Sequence, residues 1–338
     1  MGFDALWITP PVENTEKGYH GYWLKDLYNM NHEYGGNNGL KELSDALHER
    51  GMWLMIDVVL NHVGYVPGGN DFSEITQFNK EEYYHMPPCL ITEADFKSMN
   101  MERIQNCWLT ELPDLDQENE YVRKELLHWT KWIVEEYNID GLRLDSVIEV
   151  PNDFWAEFQE AAGVYTVGEV FDGRSEFVAS YQAPQGPIDA VLNYPMHYTL
   201  FDVFGEKHSC YNIKDRIKEE SQIFSDVDAL ALFVDNHDNP RMLYEYPVEN
   251  AFRNALTFTM FHKGIPILYY GGEQGFNGGA DPLNRETLWT DMDENSKWKS
   301  FVTTLVDTRK QQKVWKAEPN ELWVSDGLYA FERGQSLV

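Results

Sequence analysis

Long apolar runs, basic residues and cysteines are all scarce in this sequence. No apolar stretch approaches the roughly 20 residues of a membrane-spanning helix, so we do not expect an integral membrane protein. Lys and Arg number 27 against 56 Asp and Glu, which gives a net charge of −29 over 338 residues. Because such a surface repels phosphate backbones and anionic lipid, nucleic acid is not expected as a partner, and a neutral partner is favoured.

The three cysteines allow at most one internal pair. Cys89 and Cys107 flank an irregular segment and are able to close a loop, which would imply an oxidising compartment. Cys210 has no evident mate. The N-terminus has no signal-peptide pattern. Since a strand-like run follows Met1 almost at once, we expect the chain to begin in the middle of a domain.

Short apolar runs alternate with helical patterns along most of the chain. Residues 40–50 and 122–137 have amphipathic helical spacing, and Asp116 and Asn119 are plausible N-caps of the second helix. Alternating strands and helices predict a parallel sheet. The predicted strands are 5–9, 53–59, 141–145, 164–169, 190–193, 229–234 and 266–270.

Two intervals depart from this alternation. Residues 62–117 are too long and irregular for an ordinary connection and predict a small inserted domain. Beyond residue 316, two short strands at 321–324 and 328–332 predict the start of a truncated C-terminal β domain, 316–338. The rest, 1–61 and 118–315, predicts a (β/α) barrel. Seven barrel strands are predicted where a closed TIM barrel has eight, so we expect its first strand and helix to be absent from this chain.

Three carboxylates each follow a predicted strand. Asp145 and Glu169 end two of the apolar runs, and Asp238 follows residues 231–237. Any one of them alone is as readily a helix N-cap. In barrels, however, catalytic groups lie at the carboxyl ends of the strands, and an acid placed there costs desolvation. Together the three acids predict proton transfer with stabilisation of a cation, the chemistry that breaks a glycosidic bond.

Nine segments, in order over almost the whole chain, are similar to the α-amylase family of glycoside hydrolases (family 13), and most closely to fungal secreted α-amylases. The segments are 2–10, 19–23, 57–62, 112–116, 141–145, 168–170, 234–241, 264–271 and 281–285. The resemblance implies a (β/α)8 barrel with an inserted domain after its third strand and a C-terminal β domain. It also implies retaining, endo-acting hydrolysis of α-1,4-glucosidic bonds in starch- or glycogen-type glucans.

The resemblance assigns roles by position. Asp145 matches the nucleophile, Glu169 the acid/base, and Asp238 the third acid, which grips sugar hydroxyls. Arg143 would keep Asp145 ionised, although an Arg two residues before an Asp also forms a plain salt bridge. The substrate-binding residues that the resemblance implies are His20, Tyr22, His62, Arg143, His237, Asp281 and Arg285. A single histidine taken alone is more often a packed structural residue.

The resemblance also implies a structural Ca²⁺ held by oxygen ligands between the barrel and the inserted domain. Asn61 and Asp114 match ligand positions, and the backbone carbonyl of Glu149 would be a third ligand. Gln105 is a doubtful fourth, because close relatives usually have Glu there; Glu102 is a possible substitute.

The main departure from the family pattern follows the nucleophile. Ile148 and Glu149 replace the Lys-His pair that contacts the leaving-side sugar in many amylases. The sequence therefore does not decide whether water or a sugar hydroxyl accepts the glycosyl group. An α-glucanotransferase or another α-glucan-active enzyme is an alternative. A non-catalytic carbohydrate-binding or interaction protein is a third possibility, against which the three acids argue. The resemblance further implies a Cys89–Cys107 disulfide, an extracellular or cell-surface location, and a monomer with α-glucan as its partner.

Overall fold

The computed structural model describes residues 1–290 and 292–338, which divide into two compact units. Unit A comprises Asp4–Phe171 and Ala183–Asp189. Unit B comprises Met1–Phe3, Asp172–Gln182 and Ala190–Val338.

A parallel sheet forms the centre of unit A. The strands of the unit are β1 (Ala5–Ile8), β2 (Val12–Asn14), β3 (Leu24–Met30), β4 (Trp53–Val58), β5 (Gly141–Leu144) and β6 (Tyr165–Gly168). The order in the sheet is β1-β4-β5-β6, all parallel, and β2 pairs with β3 in a separate antiparallel ribbon. Leu54, Leu142 and Leu144 are fully buried, as expected for a parallel sheet with both faces covered.

Unit A has five α-helices in the part of the chain that the structure describes. They are α1 (Gly36–His48), α2 (Glu93–Ser98), α3 (Met101–Ile104), α4 (Glu120–Tyr137) and α5 (Asn152–Ala162). Two of them, α1 and α4, correspond to the predicted amphipathic stretches 40–50 and 122–137. Asn119 is the N-cap of α4, because its side chain accepts hydrogen bonds from two backbone amides of the first turn. Trp129 is buried on the core face of α4, and its Nε1 donates to the Leu27 carbonyl over 2.6 Å.

The predicted inserted interval, 62–117, lies within unit A and is largely irregular. It contains α2, α3 and two short 3-10 helices, Pro67–Gly69 and Glu81–Tyr83. The Cys89–Cys107 disulfide is present, which confirms that pairing. An isolated antiparallel bridge between His62 and Asp114 joins the two ends of the interval.

Unit B contains the remaining strands and helices. Its strands are β7 (Ala190–Val191), β8 (Ala231–Phe233), β9 (Ile265–Ile267), β10 (Pro319–Ser325), β11 (Leu328–Arg333) and β12 (Ser336–Leu337). Its α-helices are α6 (Ser175–Ala179), α7 (Tyr194–Leu200), α8 (Tyr211–Ile223), α9 (Met242–Glu245), α10 (Glu249–Phe261) and α11 (Lys297–Gln312), and α7 runs on into a π-helical turn, Phe201–Gly205. Its core forms around α10, whose Phe252, Leu256 and Phe261 are buried.

The seven predicted barrel-type strands all occur, as β1 and β4 to β9. β8 and β9 are paired in parallel. The antiparallel hairpin of β10 and β11 confirms the two strands predicted after residue 316. The predicted domain boundaries, 1–61 with 118–315, 62–117 and 316–338, stay predictions. No helix among the described residues combines the length and the apolarity that crossing a membrane requires.

Glu220 is a buried carboxyl on α8. Glu220 is only 2% exposed, and its Oε1 has no hydrogen-bond partner within the described ranges. Burial raises the pKa of Glu220 to about 7 from its ordinary 4.5, although Asn193 and Arg216 act in the opposite direction. The folded protein therefore holds a proton at this site between about pH 4.5 and 7 that the unfolded chain has released.

We expect this proton to make stability fall as the pH rises. Each pH unit within the window lowers the free energy of unfolding by at most about 1.4 kcal/mol through Glu220. The melting temperature of Glu220→Gln relative to the wild type should consequently increase between pH 5 and pH 8. Differential scanning fluorimetry checks this, with the exposed Glu160→Gln as the matched control. A difference in melting temperature that is the same at both pH values would contradict the prediction.

Candidate active site

Asp145 and Glu169 lie side by side at the carboxyl edge of the unit A sheet. Each follows its strand directly, since β5 ends at Leu144 and β6 ends at Gly168, and these two residues are opposite each other in register. The Asp145 amide donates to Val58 O over 3.0 Å, which continues the ladder beyond the strand. Because adjacent parallel strands end at one edge, the two carboxylates meet there, as the sequence predicts.

The guanidinium of Arg143 binds both of these carboxylates. Nη1 is 2.6 Å from Asp145 Oδ1, and Nη2 is 3.0 Å from Glu169 Oε1. The residue is fully buried, and its guanidinium lies 5.6 Å from the centre of the Trp7 ring. Burial by itself would lower the pKa of Arg143, but the surrounding carboxylates outweigh it and hold that pKa well above its usual range. Arg143 is therefore a fixed cation within the site.

A third carboxylate, Asp57, completes this ion-pair cluster. Its Oδ1 lies 3.0 Å from Arg143 Nη1, and its Oδ2 accepts a hydrogen bond from the Tyr22 hydroxyl over 2.8 Å. Asp57 is fully buried, and burial raises its pKa to about 7 even beside Arg143. The sequence analysis gave Asp57 no role, although an acid inside the apolar run of β4 was a usable signal.

Ser146 was also missed, and it contacts both strand-ending carboxylates. Its Oγ donates to Asp145 Oδ2 over 2.7 Å, and its backbone amide donates to Glu169 Oε2 over 3.3 Å. Its backbone is in the left-handed region, with φ 51° and ψ 46°. No sequence pattern announces these contacts, because they depend on that conformation.

His20, Tyr22 and His62 form a group beside Asp57. The Tyr22 amide donates to His20 Nδ1 over 3.0 Å, and the two rings are stacked. His62 is buried; its Nε2 lies 3.2 Å from Tyr22 O and its Nδ1 lies 3.2 Å from Asn61 Nδ2. Burial lowers the pKa of His62, so its imidazole is neutral at neutral pH.

The predicted metal ligands Asn61 and Asp114 present two unpaired buried oxygens. Asn61 Oδ1 and Asp114 Oδ1 have no hydrogen-bond partner in the part of the chain that the structure describes. The backbone holds the two segments together, since the Leu115 amide donates to Asn61 O over 2.8 Å. Asp114 Oδ2 binds His85 Nδ1 over 2.6 Å, a contact that the sequence analysis did not foresee. Buried oxygens without donors are a fit environment for a hard cation such as Ca²⁺.

The other candidate ligands lie on α3 and on the loop after β5. Gln105 directs its Nε2 toward the carbonyls of Ile148 and Val150, each at 3.4 Å. Glu149, between them, is buried, and burial raises the pKa of its carboxyl to about 8, with Asp145 and Asp114 adding to the rise. The Glu102 side chain is exposed, in contrast to the buried Asn61 and Asp114.

The predicted sugar-binding residues of unit B form their own cluster. His237 Nε2 lies 3.3 Å from Asp238 Oδ2, and Arg285 Nη2 lies 3.6 Å from Asp238 Oδ1. Arg285 also pairs with Asp281 over 2.7 Å. The fully buried Asn284 fixes the segment, because its Nδ2 donates to the carbonyls of His237 and Asn239, each over 2.8 Å. This cluster offers both carboxylate acceptors and a guanidinium donor, so it can bind hydroxyl groups as donors and as acceptors.

Comparisons with known proteins identify the family of this chain. Residues 1–325 match the model of the α-amylase catalytic domain. The chain is 40% identical over 328 residues to α-amylase 1 of Lipomyces kononenkoae, which covers 91% of this chain and 50% of that protein. It is 40% identical over 302 residues to the α-amylase of Saccharomycopsis fibuligera, which covers 86% of this chain and 60% of that protein.

The fold is similar to that of a solved α-amylase from Malbranchea cinnamomea, with a TM-score of 0.91 at 34% identity over 98% of this chain and 73% of that one. The chain thus spans about half to three fifths of the two curated relatives. The model of the α-amylase catalytic domain matches nearly the whole chain, and the chain has the TIM-barrel fold of that domain. The chain therefore belongs to the α-amylase family.

Proposed function

We propose that this protein is a retaining, endo-acting hydrolase of α-1,4-glucosidic bonds in starch- or glycogen-type glucans. The observation that carries the proposal is the pair of carboxylates, Asp145 and Glu169, bound to one buried guanidinium at the carboxyl edge of the sheet. Family membership supports the α-glucan substrate.

Asp145 is the proposed nucleophile and Glu169 the proposed acid/base. Glu169 donates its proton to the leaving glycosidic oxygen while Asp145 attacks the anomeric carbon, which forms a glycosyl ester and releases the leaving sugar. Glu169 then takes a proton from water, whose oxygen replaces the ester at the anomeric carbon. The Arg143 guanidinium, 2.6 Å from Asp145 Oδ1, orients the nucleophile. Two displacements retain the anomeric configuration.

The remaining residues are proposed to bind the sugar. Tyr22 is the proposed stacking ring, and His20 and His62 the proposed hydrogen-bonding histidines beside it. In unit B, Asp238 is the proposed third acid, which binds sugar hydroxyls and favours ring distortion. His237 and Arg285 each pair with Asp238, and Arg285 also pairs with Asp281. We propose that His237, Arg285 and Asp281 bind sugar hydroxyls together with Asp238.

A second candidate function is glucan transfer, in which a sugar hydroxyl replaces water as the acceptor. Ile148 and Glu149 support it, because a buried alkyl group and a buried carboxyl stand where the family resemblance implies a Lys-His pair on the leaving side. Incubation with maltoheptaose distinguishes the two: products longer than the substrate indicate transfer, and only shorter ones indicate hydrolysis.

We expect Asp145→Asn and Glu169→Gln to abolish nearly all release of reducing ends from soluble starch. Removing a positioned general acid costs about 10²- to 10⁴-fold, and removing the nucleophile should cost at least as much. The matched control is Glu42→Gln, an exposed acid on α1. If both site variants kept full activity, as Glu42→Gln should, the roles proposed for Asp145 and Glu169 would be wrong; if the wild type itself released no reducing ends, the non-catalytic alternative would be favoured.

We further propose that Ca²⁺ binds through Asn61 Oδ1 and Asp114 Oδ1, with the Glu149 carbonyl and Gln105 completing the set. The two buried, unpaired oxygens support this assignment. When bound, the ion supplies a rigid oxygen-ligated cross-link between the end of β4 and the segment around Asp114. Its role is structural and it takes no part in bond cleavage.

We expect chelation of Ca²⁺ to lower the melting temperature by several degrees. A ligand present at 100 times its dissociation constant stabilises the folded state by about 2.7 kcal/mol. Calorimetric scans in EDTA and in millimolar Ca²⁺ measure the shift. Asp114→Asn should reduce it, whereas Asp116→Asn, two residues away, is the control. An identical melting temperature in both buffers would contradict the proposed Ca²⁺ site.

The Cys89–Cys107 disulfide supports an oxidising compartment, because such bonds persist outside the cytosol. We therefore propose an extracellular or cell-surface location, with the protein acting as a monomer on α-glucan.

A further inference from the structure

Ser146 touches both of the proposed catalytic carboxylates. Its hydroxyl donates to Asp145 Oδ2 over 2.7 Å, and its amide donates to Glu169 Oε2 over 3.3 Å. The residue is only 7% exposed, so bulk water competes little for these hydrogen bonds. We propose that Ser146 is a positioning residue that holds the two carboxylates in place relative to each other. We further propose that its hydroxyl stabilises the free carboxylate of Asp145 relative to the glycosyl ester of Asp145. This inference rests on the proposed function.

The backbone of Ser146 supports a functional rather than an incidental contact. A non-glycine residue in the left-handed region costs of order 1 kcal/mol or more and persists only where its surroundings enforce it. Here the next residue, Val147, donates its amide to Glu169 O over 3.3 Å. Two consecutive amides of this turn thus hold Glu169, one through its side chain and one through its backbone.

The two oxygens of Asp145 have different partners. Oδ1 accepts from Arg143, and Oδ2 accepts from the Ser146 hydroxyl. Each carboxylate oxygen has a second lone-pair direction, so either can still bond to carbon. A hydrogen bond to a charged oxygen is roughly twice as strong as one to a neutral oxygen. The Ser146 hydroxyl therefore binds the carboxylate more strongly than it binds the neutral ester.

This difference acts on the two displacements in opposite directions. Formation of the ester removes the charge from Asp145 and weakens the hydrogen bond, so the hydroxyl disfavours the intermediate. Cleavage of the ester by water returns the electron pair to Asp145, so the hydroxyl speeds this step. Without it, the glycosyl ester should be more stable and should accumulate during turnover.

The test compares Ser146→Ala and Ser146→Gly with the wild type. Both variants lack the hydroxyl, whereas only glycine also relieves the left-handed backbone, so a shared effect identifies the hydroxyl. The probe is α-maltotriosyl fluoride, with fluoride release followed at millisecond resolution and acid-quenched protein analysed by intact mass. We expect the ratio of ester-bound to free enzyme at steady state to rise about tenfold in both variants, with kcat reduced and KM lowered in parallel.

An unchanged ratio in both variants, or a rise in only one of them, would overturn the proposal for Ser146. Asp145→Asn separates this from a failure of the proposed function. If Asp145→Asn still forms the covalent adduct, the nucleophile assignment is wrong. If it forms none and the Ser146 variants match the wild type, only the role of Ser146 is rejected. Because glycine suits the left-handed conformation, Ser146→Gly keeps the test available should the alanine variant fold poorly.

Discussion

The site in unit A depends on one buried charge, the guanidinium of Arg143. Removing such a cation from water costs several kcal/mol, which only close, well-oriented carboxylates offset. Asp57, Asp145 and Glu169 supply them, each at 3.0 Å or less. Burial raises the pKa of Asp57 to about 7, and the charge of Asp145 adds to the rise, although Arg143 acts in the opposite direction. The same contacts tie three adjacent strands together.

The short loop after β5 contains residues to which several of the proposed roles are assigned. Asp145 begins it, Ser146 contacts both carboxylates, and Ile148 and Glu149 stand where the family resemblance implies a Lys-His pair. Gln105 Nε2 holds the carbonyls on either side of Glu149. A cation bound at the Glu149 carbonyl would consequently act on the same few residues that carry the nucleophile. The proposed metal site and the proposed nucleophile thus share one backbone segment.

Different parts of the fold were predictable to different degrees. The strands and the helix containing Trp129 follow from periodicity, since burial of one face requires it. The positions of Cys89 and Cys107 around an irregular segment made their pairing possible, and the family resemblance implied it. The role of Asp57 was missed because it depends on register: Asp57 lies opposite Arg143 in the neighbouring strand, 86 residues away. The contacts of Ser146 and of His85 were missed for similar reasons.

The amino-acid sequence alone indicates which carboxylates follow the strands and which family motifs surround them. Strand periodicity and motif order are properties of the sequence that can be recognised without knowledge of packing. Packing was needed to establish that Arg143 binds three acids at once and that Ser146 reaches both Asp145 and Glu169. It was also needed to establish that Asn61 Oδ1 and Asp114 Oδ1 have no hydrogen-bond partner among the described residues. These facts depend on strand register, burial and a left-handed backbone, none of which any single segment of the chain specifies.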